Sequence, residues 1–162
     1  AGSVATEVAQ GSVKGVLRTL EAGACVNGYE NNSIPPIIGS ASLGHVDIIK
    51  LLLSRGADPE AAVRNKHGCC AHLEGARAVH AAAHGRRAEA LKTLLQAGAD
   101  PNSVDSQGIS PLMAVCREGV PAAARGSMPQ ALLNAGGDLL LRNKCCGCFA
   151  IHYAARSSVT PR

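Results

Sequence analysis

Residues 98–119 read GADPNSVDSQGISPLMAVCREG, and pieces of this string recur through the chain. Gly98 follows the apolar run Leu91, Leu94 and Leu95, where a helix must stop. Glycine enters the left-handed conformation of a helix C-terminus without a Cβ penalty. Asp100, Pro101, Asn102, Asp105 and Gly108 supply turn chemistry, so an extended finger with a tight tip is predicted here. Ser110-Pro111-Leu112 then restarts a helix, with a hydroxyl at the N-cap and proline at the first helical position, where its missing N–H costs nothing. Ala114, Val115 and Cys116 keep that helix narrow enough to lie close against neighbours.

The same order of features occurs elsewhere. Gly23-Ala24-Cys25-Val26-Asn27 leads to Pro36-Ile37-Ile38 and Gly44-His45. Gly56-Ala57-Asp58-Pro59 leads, after an insertion, to Gly75 and Val79-His80-Ala81-Ala82-Ala83. Gly136-Gly137-Asp138 leads to Gly147 and Ile151-His152-Tyr153-Ala154-Ala155. The pattern resembles that of the ankyrin repeat, G-x-T-P-L-H-x-A-A-x-x-G followed by a Leu-rich helix and G-A-D-x-N, over almost the whole length. Gly23 and Gly56 are about 33 positions apart, the period of that repeat. The next two intervals exceed it by about nine and about five positions, which places insertions around Asn65–Leu73 and Pro121–Pro129.

The resemblance implies an all-α fold: an ankyrin-repeat solenoid of stacked helix-turn-helix units with β-hairpin-like fingers. One domain is expected over residues 1–156, with repeats at about 1–27, 28–60, 61–102, 103–138 and a partial 139–156, then a tail at 157–162. The first repeat is degenerate, with Val4, Val8 and Ala9 on one helix and Val13, Val16, Leu17 and Leu20 on the next. In the third, Arg77-Ala78 replaces Thr-Pro, removing cap and pre-set φ at a cost of about 1 kcal/mol. Arg86 there stands where the pattern has glycine, with Gly85 one place early. The fifth lacks a second helix, leaving Ile151, Ala154 and Ala155 facing solvent on one side. Together with the absence of an initiator Met, this reads as a fragment, a splice-altered product or a piece of a longer protein, with a short, frayed natural terminus as the alternative.

Composition narrows the function. With 46% hydrophobic and 17% charged residues the chain is not a disordered polymer. Only Tyr29, Phe149 and Tyr153 are aromatic, which suits an Ala-, Leu- and Gly-rich stack of helices. The net charge of +4 is spread along the chain. Without a basic stripe or interleaved aromatics, no nucleic acid is expected. No apolar run reaches the roughly 18 residues of a membrane span, and the N-terminus has no signal-like apolar region. Seven cysteines, an odd number, with adjacent pairs at Cys69-Cys70 and Cys145-Cys146, read as free thiols of the cytoplasm or nucleus.

Cys69-Cys70-Ala71-His72 and Cys145-Cys146-Gly147-Cys148 invite a metal, yet neither has the CxxC spacing that lets two thiolates converge on one tetrahedral ion. No metal or cofactor is expected. Cys116 reads as core rather than as a nucleophile, and no base, phosphate loop or Ser elbow accompanies it, so the segment is not expected to be an enzyme. His80 and His152 occupy the His of the T-P-L-H motif, where the resemblance implies a structural hydrogen bond.

Function is therefore expected on the surface, as a protein-protein interaction module that binds one protein partner as a monomer through the concave face of fingers and first helices. Contact positions implied by the resemblance are Asn31, Asn32, Ile34, Ser42 and Leu43 in repeat two, and Glu74, Ala76 and His84 in repeat three. Repeat four contributes Ser106, Gln107, Ile109, Arg117 and Glu118, and repeat five Cys145 and Arg156. Two alternatives stand beside it. One is a thiol-based metal or redox sensor using the Cys clusters; the other is a scaffold part of a larger enzyme.

Overall fold

A computed structural model describes residues 3–28, 34–64, 74–117 and 127–158, with side chains through residue 155. The described residues form α1 (Val4–Ala9), α2 (Val13–Glu21), α3 (Pro36–Leu43), α4 (Val46–Ser54), α5 (Ala78–His84), α6 (Ala88–Gln96), α7 (Pro111–Arg117), α8 (Met128–Asn134) and α9 (Ala150–Ser158). Serine hydroxyls begin the first pair, Ser3 Oγ accepting from Thr6 N–H at 3.3 Å and Ser12 Oγ from Gly15 N–H at 3.0 Å. Ser110 Oγ accepts from Met113 N–H at 3.3 Å at the head of α7, with Pro111 next, as the Ser-Pro pair predicts.

The helices stack in two layers. α1, α3, α5, α7 and α9 pack one on the next, and α2, α4, α6 and α8 form a parallel row behind them. Ala41, Ala78, Ala82, Ala83 and Ala114 are buried in the first layer, and their small side chains allow the close approach. Branched and long side chains fill the space between the layers, with Ile37, Ile48, Ile49, Leu52, Leu91, Leu94, Met113 and Leu132 fully buried. Each helix is too short to hold its shape alone in water, so stability resides in this one continuous cluster.

The turn between α5 and α6 departs from its counterpart. Gly44 closes α3 at φ 83, whereas in the next repeat Gly85 has φ −72 and Arg86 takes the left-handed place at φ 57. That conformation costs a non-glycine residue about 1 kcal/mol. Replacing Arg86 with glycine is therefore expected to raise stability by about 1 kcal/mol and the unfolding midpoint by about 2–4 °C. Thermal and urea unfolding measure it, and a lower midpoint would mean that the contacts of the Arg86 side chain outweigh its backbone strain.

The fingers are joined edge to edge by a polar ladder. Asn27 Oδ1 accepts from Asp58 N–H at 2.9 Å, Glu60 Oε1 from Asp100 N–H at 2.9 Å, and Asn102 Oδ1 from Asp138 N–H at 2.7 Å. Within each turn an aspartate curls onto its own backbone, Asp58 to Glu60 N–H, Asp100 to Asn102 N–H and Asp138 to Leu140 N–H. Leu140 stands where the ladder residue would be and is 76% exposed. The only strand-like pairing among the described residues is an isolated antiparallel bridge between Ala62 and Arg77. The fingers are thus held by turns and side chains more than by a β-ladder.

Two element boundaries differ from expectation. Met128 and Pro129 belong to α8 rather than to an inserted loop, because Met128 is buried in the core and proline is tolerated in a first helical turn. α9 continues to Ser158, two residues into the expected tail, with Ile151 69% exposed and Ala155 exposed. Residues 121–126 of that insertion and the one at 65–73 lie outside the described residues.

Candidate protein-interaction site

Finger four is anchored from beneath by His80 of α5, a wholly buried side chain. Its Nδ1 accepts from Arg77 N–H at 3.3 Å, tying the residue before the helix to its first turn, while no side chain caps the N–H groups of the helix itself. With Nδ1 accepting, the proton of the neutral ring sits on Nε2, which donates to the carbonyl of Ile109 at 3.0 Å. Burial lowers the His80 pKa from 6.5 to about 4, against the opposing pull of the Ile109 hydrogen bond and of Asp105. Asp105 Oδ1 in turn accepts from Gln107 N–H at 2.9 Å and Ile109 N–H at 2.8 Å, shaping the tip. Arg77 Nε lies 3.0 Å from Glu60 Oε2 in a half-buried ion pair whose alignment falls short of a hydrogen bond.

The fifth repeat repeats this device in the open. His152 Nδ1 accepts from Phe149 N–H at 3.0 Å, so Nε2–H is again the free donor, but the side chain is exposed. Its ring stacks on Phe149 with centroids 5.5 Å apart, and the Arg142 guanidinium lies 4.9 Å from the Phe149 ring centre. Asn143 is buried in that finger, donating to the Tyr153 hydroxyl and accepting from Cys145 N–H. Desolvation, then contact with Cys146, pushes the Tyr153 phenol above its usual pKa of 10.0, so it stays a neutral donor.

Between fingers four and five and helices α7 and α9 lies a cleft of about 420 Å³. Gln107, Ile109 and Arg117 line one side; Asn143, Cys145, Cys146, Cys148, His152 and Tyr153 line the other. A second groove, of about 470 Å³, runs between α6 and α8 on the opposite layer, bordered by Lys92, Leu95, Gln96, Gln130 and Asn134.

Of the residues expected at the contact face, Ile34, Ser42, Leu43, Glu74, Ser106 and Arg117 are exposed, and His84 and Gln107 are half-buried. Two are corrected. Ile109 is 2% and Ala76 5% exposed, because both flank the finger turns on the side that packs on the core, and only their backbones take part in the finger contacts. Asn31, Asn32, Glu118 and the side chain of Arg156 lie outside the described residues. Asn143, His152 and Tyr153 join the cleft without having been expected there. The signal available was the second copy of the His motif at Ile151-His152-Tyr153.

Cys25 and Cys145 are exposed free thiols, and Cys116 packs at the edge of the core. Among the described residues no group of three or more His, Cys, Asp and Glu side chains could hold a metal ion. Cys69, Cys70 and His72 lie outside them. No helix among the described residues is long and apolar enough to cross a membrane.

Paired helices in two rows, with turn-built fingers aligned along one edge, define a helical repeat protein. The family model for ankyrin repeats in three copies matches residues 37–125 and again 78–160, and the chain belongs to the ankyrin repeat family. It is 31% identical over 102 residues to the inactive serine/threonine-protein kinase TEX14 of Mus musculus, covering 63% of this chain and 6% of that protein. It is 38% identical over 80 residues to the ankyrin repeat and KH domain-containing protein mask-1 of Caenorhabditis elegans, covering 49% of this chain and 3% of that protein. The chain thus spans a small fraction of the curated relatives it matches.

Proposed function

We propose that this segment is a non-catalytic interaction module that binds a protein partner across the face built by its fingers and first helices, as a monomer and without nucleic acid or membrane, in the cytoplasm or nucleus. Ankyrin repeats are in general protein-interaction modules. The observation that carries the reading is the convergence of Gln107 and Arg117 with the fifth repeat's finger in a single cleft, in register with exposed Ser42, Leu43 and Ser106. A row of exposed side chains on a rigid stack presents contacts at little ordering cost, which favours recognition of another chain.

Affinity capture with the parent chain, beside a Leu43→Ala, Gln107→Ala, Arg117→Ala variant, tests the face. A partner held by the parent is expected to bind at least tenfold more weakly to that variant, while Lys92→Ala with Leu133→Ala on the second layer leaves binding intact. The reverse result would move the binding face to the second layer. Both variants should unfold at the parent's midpoint, since the substituted side chains are exposed or half-buried.

A further inference from the structure

We propose that Asn27 is a site of spontaneous covalent modification, converted in water to aspartate and isoaspartate at a pace set by the contact between the first two fingers. Asn27-Gly28 is the only Asn-Gly pair in the chain. In the reaction the Gly28 backbone nitrogen bonds to Asn27 Cγ, and its proton leaves with the side-chain amide nitrogen as ammonia. Water then opens the cyclic imide at either carbonyl. A side chain on the following residue obstructs that ring, whereas glycine has none and reaches the backbone angles that closure requires. The other described asparagines are worse placed. Asn102 precedes Ser103, which is buried and directs its N–H to the Asp100 carbonyl; Asn134 precedes Ala135, whose N–H is held by Ala131 at 3.1 Å; Asn143 is itself buried. The fold restrains Asn27 as well. Its Oδ1 accepts from Asp58 N–H at 2.9 Å, and Gly28, at φ 57, donates its N–H to the Cys25 carbonyl at 3.1 Å. Both reacting groups are therefore engaged while the fingers stay joined, and opening of the first repeat frees them together. That repeat buries Val4, Val8 and Val16, against Ile37, Ile38, Ile48, Ile49 and Leu52 in the next, so less apolar surface opposes its opening. The products act on the same contact: aspartate adds a negative charge, and isoaspartate lengthens the main chain by a methylene and draws the side chain away from Asp58.

Incubation of the purified chain in mildly alkaline buffer at physiological temperature, followed by peptide mapping in a mass spectrometer and labelling with an isoaspartyl methyltransferase, tests this. The mass gain of amide-to-acid conversion is expected at Asn27 at least tenfold faster than at Asn102, Asn134 or Asn143, with isoaspartate among the products. It should also run at least tenfold slower than in an isolated peptide of residues 22–30. Val16→Ala, which loosens the first repeat and is checked to keep the parent's helical signal, should move the rate towards that of the peptide. Conversion spread evenly over the asparagines, or none at Asn27 while the peptide converts, would overturn the site. A rate equal to the peptide's in the parent chain, or one unmoved by Val16→Ala, would overturn its control by the finger contact.

Discussion

Replacing His80 with alanine is expected to cost about 3 kcal/mol of folding stability, a large share of what a domain of this size possesses. Truncation strips the Ile109 carbonyl and Arg77 N–H of their partner in a site that is closed to solvent. Each buried polar group left unpaired costs about 1–3 kcal/mol, and the vacated volume adds to it. Urea unfolding of parent and variant gives the difference, and a loss under 1 kcal/mol would mean that water or a shifted finger replaces the ring. The same residue makes stability depend on pH. In the folded chain the imidazole titrates near 4, and unfolded near 6.5. Above pH about 6.5 both states keep it neutral and the contribution is complete. As pH falls below that, the unfolded chain takes up a proton that the folded chain refuses, so stability declines until about pH 4, by about 3 kcal/mol in all. The parent-minus-variant difference between pH 7 and pH 4 isolates the part due to His80.

Gly85→Ala is expected to destabilise by about 2–3 kcal/mol, and the reason is space alone. At φ −72 any residue is comfortable, but a Cβ there would lie 2.4 Å from the Ser42 carbonyl oxygen and 3.1 Å from that of Ala81. The Ser42 carbonyl is α3 backbone and cannot step aside without parting α3 from α5, and the Ala81 carbonyl is held within α5 itself. Arg87 tightens the same spot, its Nε donating to the Ser42 carbonyl at 3.2 Å. Gly98→Ala is the contrasting case: φ is +89 yet nothing lies within 4 Å, so only the conformational penalty of about 1 kcal/mol applies. Equal losses for the two variants in the same urea titration would refute the packing explanation.

These two residues also mark how far the sequence could be read. Gly85 one place early, with arginine after it, showed only as a departure from the repeat pattern. The stacking of α5 on α3 explains it: close approach at Ser42 excludes a side chain at 85, and the left-handed turn then falls on Arg86. Likewise the absent Thr-Pro at 77–78 predicted a weakened helix start; no side chain caps α5, and His80 instead ties Arg77 N–H back to the first turn. The expected contact face suffered from the same blindness. Ile109 and Arg117 were placed together by position in the repeat, and both border one cleft, but Ile109 is 2% exposed and packs on the core whereas Arg117 is exposed.

By itself the sequence determined the helix pairs, their period and the turn positions, because caps, prolines, glycines and apolar spacing act within a few residues of one another. It determined equally that these pairs must stack, since none has enough apolar surface to stand alone. Only the tertiary structure decided which side of each finger faces the core, why Gly85 must be bare, and that Arg117 and His152 share a cleft. Those outcomes depend on distances between repeats of about 40 residues' separation in the chain, a scale that local propensity does not reach.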